Sequence, residues 1–216
     1  MKKSEQGTRA EKPRDAVRDR VLCASFEAFR EKGFHGVSTL EIATRAKVSK
    51  RELYALFADK QAIVVECIKW RTKQMQAPLA LPRPKDTLAL SATLTAFGTA
   101  LITNVCDSSV LAVFRLAISE AERTPEIAHV LNSAGREASR KIFADLVKNA
   151  QEDGLLLASD PAEATEFFFS VLWGDLQIRL LMGLAKTPTK GEIAQRAKHA
   201  STRLLAVYSK PIFNPI

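Results

Sequence analysis

Three cations stand at the predicted starts of short helices near the amino end of the chain. Lys50 and Arg51 directly follow Ser49, and Lys60 directly follows Asp59. Ser and Asp are favoured residues just before the first turn of a helix. Cations in that first turn oppose the helix macrodipole, at a cost of roughly a few tenths of a kcal/mol each. They are either solvated surface charges or contacts to an external polyanion, and duplex DNA fits the second alternative.

The stretch 38–57 predicts two short helices, each with its own start signal. Ser38 and Glu41 are three residues apart, as are Ser49 and Glu52. This is the spacing of a capping box, in which the Ser and Glu side chains bind backbone N–H groups reciprocally. Two capped helices in immediate succession are typical of a helix-turn-helix, whose second helix enters the major groove of DNA.

Apolar residues and a short turn complete this motif. The apolar side of the first helix consists of Ile42, Ala43 and Ala46, and that of the second of Leu53 and Phe57. Residues 46–48 form the predicted turn, with Val48 buried between the two helices. Leu53 and Phe57 are four residues apart and therefore share one helix face.

The stretch from Arg18 to Trp70 resembles the DNA-binding domain of the TetR/AcrR family of bacterial transcriptional regulators. The matching residues are Ala28, Phe29, Gly33, Phe34, Gly36, Val37, Ser38, Thr39, Ile42, Ala43, Ala46, Val48, Ser49, Leu53, Tyr54, Phe57 and Lys60. The resemblance implies that Tyr54 and Lys60 contact phosphates and that Lys50 and Arg51 face bases. The predicted DNA-binding residues are Ser38, Thr39, Lys47, Ser49, Lys50, Arg51, Tyr54 and Lys60.

Two positions depart from the family pattern. Lys47 stands where the family usually has Gly, and Leu56 stands where it often has His or Tyr. A Lys held at positive φ costs roughly 1 kcal/mol, so a slightly different turn is expected. Leu56 removes a polar contact, which affects the operator sequence rather than DNA binding itself.

The charge of the chain is concentrated in its first third. The formal net charge is +8 over 216 residues, and residues 1–75 hold 17 of the 32 Lys and Arg against 10 of the 24 Asp and Glu. A basic segment suits nucleic acid, whereas the nearly neutral remainder suits another role.

The sequence predicts an all-α protein of about nine helices in two domains. Residues 1–14 are charged and unpatterned, and predict a disordered basic arm. Residues 15–77 form the predicted helix-turn-helix domain, which contains three helices with the motif at 38–57. Pro78, Pro82 and Pro84 mark a break in composition. Residues 86–210 then form the predicted helical bundle for effector binding and dimerisation.

The segment 166–184 is apolar on nearly all sides, so more than one face must be covered. The last predicted helix carries a second apolar stripe. Together they indicate a homodimer, with a thick monomer core as the alternative. The predicted interface consists of Phe168, Leu172, Leu176, Leu180, Ile193, Ala197 and Leu204.

The stretch 114–123, followed by Pro125 and Glu126, is similar to the C-terminal domain of AefR-like members of the same family. This resemblance implies a small effector whose binding loosens the grip on DNA, and a pocket of this composition would take a mostly apolar molecule. The predicted pocket residues are Thr93, Phe97, Thr103, Phe114, Trp173 and Met182. The alternative is that these side chains are core.

Other classes of site find little support. The spacing of Cys23, Cys67 and Cys106 fits neither zinc nor a secreted disulfide framework, which favours a reducing cytoplasm and small core residues. The histidines are isolated, and neither a phosphate loop nor a nucleophile elbow occurs. Residues 88–105 lack charges but contain several polar residues, which favours a buried helix over a membrane span. We expect no cofactor, no metal, no catalysis and no membrane partner.

We therefore predict a cytoplasmic bacterial repressor. It binds a palindromic operator in double-stranded DNA as a homodimer and is released by a small apolar effector. Two alternatives remain open, namely an architectural DNA-binding protein without an effector and a helical small-molecule carrier or enzyme. Competition with random DNA separates the first from a specific regulator, and DNA binding at low salt tests the second.

Overall fold

The computed structural model describes residues 8–75, 83–122 and 124–209. Within these ranges the regular elements are eleven α-helices and one π-helical segment, without strands. The helices are α1 Thr8–Lys32, α2 Thr39–Ala46, α3 Lys50–Leu56, α4 Lys60–Met75, α5 Thr87–Val105, α6 Ser108–Glu120, α7 Pro125–Leu131, α8 Ala138–Glu152, α9 Pro161–Trp173, α10 Leu176–Leu181 and α11 Lys190–Tyr208, and the π-helical segment is Asn132–Glu137. The predicted all-α class is confirmed.

The described residues form two compact units. The first contains the residues up to Gln74 together with Ala112–Ala134, and the second contains Met75–Leu111 and the residues from Gly135 onward. The division falls inside α6 and differs from the predicted second domain, 86–210. Residues 112–134 belong to the first unit because their apolar side chains are buried in its core. The predicted linker, residues 78–85, lies outside the described residues as far as position 82.

The core of the first unit is formed by α1 to α4 with the second part of α6 and α7. Fully buried members include Val21, Ile42, Leu53 and Val64. Helix α1 begins at Thr8 and therefore includes residues 8–14 of the predicted basic arm. Arg, Ala, Glu and Lys at positions 9–12 are good helix formers, which favours this extension. Residues 1–7 lie outside the described residues.

A cluster of phenylalanines forms the centre of the second unit. Phe143 stacks on Phe168 with ring centroids 4.2 Å apart, and the ring centroids of Phe97 and Phe143 are 5.1 Å apart. Helix α5 is long and apolar enough to cross a membrane. Its buried face, which includes Phe97, instead packs in this core. At Gly98, an added Cβ would lie 3.1 Å from the side chains of Leu172 and Ala197, so glycine permits the close approach of three helices.

The apolar segment 166–184 is divided between two helices, α9 and α10. Helix α9 ends at Trp173, and Gly174 follows with φ +48°. Arg196 on α11 donates hydrogen bonds of 3.2 Å to the carbonyl oxygens of Leu172 and Trp173. These bonds satisfy two of the carbonyls that a helix end leaves unpaired. A positive-φ glycine and a capping arginine thus divide a segment whose composition is uniform.

The predicted dimer-interface residues are core residues of the second unit. Six of them are at most 6% exposed, and Leu176 is half-buried. The six are Phe168, Leu172, Leu180, Ile193, Ala197 and Leu204. These six side chains pack within their own bundle and offer little surface to a second copy, and the homodimer itself stays a prediction. The apolar residues that α10 and the following turn leave exposed are Ile178, Met182 and Leu184, each more than half exposed.

The three cysteines are free thiols in different environments. Cys67 and Cys106 are buried, as predicted, whereas Cys23 is exposed. Burial raises the pKa of the Cys67 and Cys106 thiols. Neither buried thiol is therefore activated as a nucleophile at neutral pH.

Candidate nucleic-acid interface

The turn between α2 and α3 is closed by backbone hydrogen bonds. Lys47 adopts the left-handed conformation, with φ 53° and ψ 49°. Its N–H bonds to the carbonyl of Thr44 at 3.2 Å, and the Val48 N–H bonds to that of Ala43 at 3.0 Å. This is the Schellman arrangement that usually contains Gly at the left-handed position. Lys47 therefore keeps the turn geometry typical of glycine despite its side chain, and the expectation of a slightly different turn is wrong.

The second helix of the motif has the complete capping box that its sequence predicts. The Glu52 N–H donates to Ser49 Oγ at 3.1 Å, and the Ser49 N–H donates to Glu52 Oε2 at 2.7 Å. The backbone N–H of Ser49 lowers the pKa of Glu52. The reciprocal bonds fix the first turn of α3, where Lys50 and Arg51 lie.

The first helix has only half of its predicted capping box. Ser38 Oγ accepts the Glu41 N–H at 3.1 Å, as expected. The Glu41 carboxylate instead accepts bonds from Lys32 Nζ at 2.7 Å and from Arg45 at 2.8 Å. The prediction of a reciprocal bond to Ser38 is therefore wrong, because cations on α1 and one turn further along α2 occupy the carboxylate.

The two helices pack on the core through the residues that the apolar pattern predicted. Ile42 and Leu53 are completely buried, and Ala46 and Phe57 are each 4% exposed. Val48 is half-buried at the edge of this core rather than enclosed between the helices. The opposite sides of α2 and α3 therefore remain available to a partner.

Three of the predicted DNA contacts are exposed cations around the start of α3. Lys47, Lys50 and Arg51 are exposed, and they make no ion pair with any residue that the structure describes. Lys50 Nζ lies 5.9 Å from the ring centroid of Tyr54, one turn further along α3. Their positive charge is therefore not neutralised by the described part of the chain.

The cations on the other side of the motif are neutralised. Arg45 pairs with Glu31 and with Glu41, each at 2.8 Å, and Lys32 pairs with Glu41 at 2.7 Å. The hydrogen bond from Lys32 lowers the pKa of Glu41, and the one from Arg45 lowers the pKa of Glu31. This four-residue network joins α1 to α2, and the sequence analysis did not identify it. Its members are not neighbours in sequence, and only the i,i+4 pair of Glu41 and Arg45 is a recognisable signal.

Hydroxyl groups complete the exposed surface. Thr39 Oγ1 and Tyr54 Oη share a hydrogen bond at 3.1 Å, which links the start of α2 to α3. Tyr54 is 45% exposed, and the Ser38 and Ser49 side chains are exposed while serving as helix caps. Leu40, 63% exposed beside Thr39, is an apolar member of this surface that the sequence analysis missed.

Lys60 is placed differently from the other predicted cations. Its Nζ donates to the carbonyl oxygens of Phe34 at 2.8 Å and Val37 at 2.9 Å. It also lies 4.1 Å from the ring centroid of Phe34. Burial lowers the pKa of Lys60, and the Glu120 carboxylate opposes that effect. Lys60 thus secures the connection between α1 and α2, so an exclusive role in phosphate binding does not fit its surroundings.

The residues predicted to line an effector pocket do not share one environment. Phe97 is completely buried in the phenylalanine cluster, while Thr103 and Met182 are exposed. Phe114 belongs to the first unit, whereas the other five belong to the second. The hydroxyls of Thr93 and Thr103 donate to the carbonyls of Ala89 and Thr99 on their own helix. Thr103 and Met182 lie on the surface and Trp173 is half-buried, and an effector pocket that these residues line stays a prediction.

The capped pair of short helices, with exposed unpaired cations at the second, defines a helix-turn-helix protein of the DNA-binding class. Comparison with family models is consistent with this class. Residues 21–67 match the model for bacterial regulatory proteins of the tetR family. Residues 92–210 match the model for the C-terminal domain of AefR-like transcriptional repressors. The chain therefore belongs to the TetR family, which consists of transcriptional regulators and not of enzymes.

Similar proteins share the whole architecture. A protein from Mesorhizobium loti MAFF303099, solved as a TetR-family transcriptional regulator, superposes with a TM-score of 0.80 at 25% identity, over 91% of this chain and 98% of that chain. The flavonoid-responsive regulator FrrA superposes with a TM-score of 0.75 at 28% identity, over 91% of this chain and 99% of FrrA. The HTH-type transcriptional regulator YvkB of Bacillus subtilis is 22% identical over 167 residues, which cover 76% of this chain and 83% of YvkB.

Proposed function

We propose that this chain is a bacterial, cytoplasmic repressor that binds a palindromic operator with α3 in the major groove. The proposal depends on Lys47, Lys50 and Arg51, which are exposed and have no ion-pair partner among the described residues. Lys50 and Arg51, in the first turn of α3, face base edges, as the N-terminal residues of a recognition helix do. Lys47 and Tyr54 flank them and contact phosphates, together with the hydroxyls of Ser38, Thr39 and Ser49.

Lys60 has a secondary part in this proposal. An ammonium group has three donors, and two of them are bound to the carbonyls of Phe34 and Val37. One donor remains for a phosphate. The main contribution of Lys60 is to hold the connection that leads into α2.

Selection of duplexes from a random library with the purified chain tests DNA binding. We expect a short palindrome whose half-sites lie about one helical turn, ~34 Å, apart. Competition with random DNA then measures the ratio of specific to nonspecific affinity. Recovery of unrelated sequences, with a ratio near one, would instead identify an architectural DNA-binding protein.

A homodimer is part of the proposal, through a surface other than the one predicted from sequence. Ile178, Met182 and Leu184 are 53%, 65% and 64% exposed on α10 and the turn after it. Burial of such side chains against a second copy contributes roughly 25 cal/mol per Å² of apolar surface. A two-fold dimer would also match the two halves of a palindrome.

Sedimentation at micromolar concentration tests the dimer. We expect the unaltered chain to sediment as a dimer and Met182→Glu to sediment as a monomer at the same concentration. Leu88→Glu is the matched control, because Leu88 is 82% exposed on α5, outside this surface. A monomeric unaltered chain would refute the dimer, and a dimeric Met182→Glu variant would refute the surface.

The effector in this proposal is small and mostly apolar, and its binding releases DNA. The match to AefR-like C-terminal domains and the similarity to a flavonoid-responsive regulator support this class of molecule. The phenylalanine cluster and the half-buried Trp173 supply an apolar environment in the second unit. A thermal-shift screen with flavonoids and other apolar aromatic compounds tests it, since a ligand at 100 times its Kd stabilises by about 2.7 kcal/mol. A binder that raises the Tm without lowering DNA affinity would refute the release mechanism.

A further inference from the structure

Helix α6 ends at a carboxylate that is enclosed by the first unit. Glu120 is the last residue of α6 and is 1% exposed. Its Oε1 atom accepts no hydrogen bond from the residues that the structure describes. An ionised carboxylate in such a position costs several kcal/mol of desolvation unless opposite charges are close. The groups that face Glu120 therefore explain why a charged residue is kept there.

Two basic side chains from different elements face this carboxylate. His35 Nε2, in the connection between α1 and α2, lies 2.9 Å from Glu120 Oε1. Lys60, at the start of α4, interacts electrostatically with the same carboxylate. The histidine side chain is 64% exposed, so His35 reaches the buried acid from the surface of the protein.

These groups converge on the connection that leads into the helix-turn-helix. Lys60 Nζ binds the carbonyls of Phe34 and Val37, at the two ends of the connection. The His35 and Phe34 rings make an edge contact, with centroids 5.3 Å apart. Ser38, the cap of α2, is the next residue after Val37. The connection is thus held by Lys60 on α4 and by Glu120 on α6, immediately before α2 begins.

We propose that Glu120 is a positioning residue of the DNA-binding site, which acts through His35 and Lys60 to fix the connection Phe34–Val37 and with it the placement of α2 and α3. The inference rests on the proposed function in DNA binding and adds a residue on α6 to the site. Glu120 does not touch DNA in this arrangement. Its effect comes from preorganisation, because a binding surface that is already ordered loses less conformational freedom on association.

The variant Glu120→Gln tests this role in the full-length chain. Gln has nearly the same shape but no charge, so it removes the ion pair with His35 and the electrostatic interaction with Lys60, and it also removes a buried charge. We expect the affinity for the selected duplex to fall by about tenfold, within the usual range for coupling between sites. The thermal unfolding temperature should not fall in parallel, because a desolvated charge has been removed. Glu122→Gln is the matched control, since Glu122 is exposed two residues further on.

His35→Gln provides the second measurement, at an exposed position where folding is not at risk. We expect a loss of DNA affinity in the same direction. In the double variant, the loss should be smaller than the product of the two single losses, because both changes break one interaction.

The outcomes separate this inference from the proposed function. Affinity of Glu120→Gln within twofold of the unaltered chain, or losses that multiply fully in the double variant, would overturn the role of Glu120 and leave DNA binding intact. A fall in affinity equal to that of Glu122→Gln would also overturn it. If the unaltered chain bound no duplex even at low salt, the proposed function would fail, and this inference with it.

Discussion

Helices α2 and α3 begin with the same pattern, Ser-x-x-Glu, yet their charged side chains differ in whether they form ion pairs. In α2, Glu41 is bound to Lys32 and Arg45, and the cations of that side are neutralised. In α3, Glu52 is bound to its own cap, and Lys50 and Arg51 have no ion-pair partner in the described ranges.

The difference arises from what lies next to each helix. Helix α2 packs along α1, whose Glu31 and Lys32 complete the charge network. The first turn of α3 projects away from the core, and Glu52 is occupied by the backbone N–H of Ser49. The shared Ser-x-x-Glu pattern is therefore accompanied by a structural charge network in α2 and by an available cationic surface in α3.

The largest expected effect is the difference in operator affinity between two substitutions, one at a cation without an ion pair in the described residues and one at a cation that has one. Arg51→Ala should lower operator affinity by ~1–3 kcal/mol and relax the preference for one base pair. Lys32→Ala, in the neutralised network, should leave affinity nearly unchanged. Fluorescence anisotropy with the selected duplex measures both.

The salt dependence of the same measurement sharpens this comparison. In Lys47→Gly, which loses a proposed phosphate contact, the slope of log K against log salt should be smaller by about 0.9. Lys32→Ala should keep the full slope. Equal losses of affinity in the two variants would show that pairing does not distinguish the two sets of cations.

The next effect concerns the part of the pattern that both helices share. Ser38→Ala and Ser49→Ala each remove one side-chain acceptor for a backbone N–H, at 3.1 Å in both cases. Each substitution should lower the free energy of unfolding by about 1 kcal/mol. Urea unfolding measures it, with Thr44→Ala, inside α2, as the non-capping control. A difference of several kcal/mol between the two caps would mean that their local roles are unequal.

Lys47→Gly should have a comparable effect on stability but with the opposite sign. Lys47 is the one non-glycine residue with positive φ in the part of the chain that the structure describes. Glycine relieves strain of about 1 kcal/mol there, so the free energy of unfolding should rise. DNA affinity should fall, because an exposed cation is lost. A variant that gained stability and kept its full affinity would remove Lys47 from the proposed interface.

The smallest expected effect is a difference in response to pH and salt. The folded-state pKa of Glu41 lies below its usual value of 4.5 because of Lys32, and that of Glu52 is lowered by the Ser49 N–H. The stabilisation from a depressed carboxylate pKa is present above the unfolded pKa and is lost as pH falls through the folded one. The Tm should therefore decline below about pH 4.5, and less steeply in Glu41→Gln and Glu52→Gln.

High salt should change the Tm differences of Glu41→Gln and Glu52→Gln to different extents. At about 1 M salt, the Debye length is ~3 Å, and the ion pairs of Glu41 are strongly screened. The difference in Tm between Glu41→Gln and the unaltered chain should shrink, whereas the difference for Glu52→Gln should persist. If salt affected both variants alike, the distinction between a charge network and a local cap would be lost.

Much of the first unit follows from short stretches of sequence. The starts and apolar faces of α2 and α3 depend on residues at most five apart, and their prediction is confirmed. Of these two helices, only α3 has a complete capping box. The part of α6 and α7 that completes the same core could not be assigned, because their long-range contacts leave no local pattern. For residues 166–184 the local pattern was visible but did not define a role. Apolar side chains on every face are compatible with a core, a pocket or a dimer.

The sequence alone determined where the short helices begin and end around the motif, because capping and turn formation are interactions between near neighbours. Tertiary structure alone decided which cations are neutralised, that His35 lies against Glu120, and which apolar stripes are interior. Those outcomes depend on distances between residues far apart in the chain, such as the 2.9 Å between His35 Nε2 and Glu120 Oε1. Coulomb interactions and burial respond to that proximity rather than to sequence spacing.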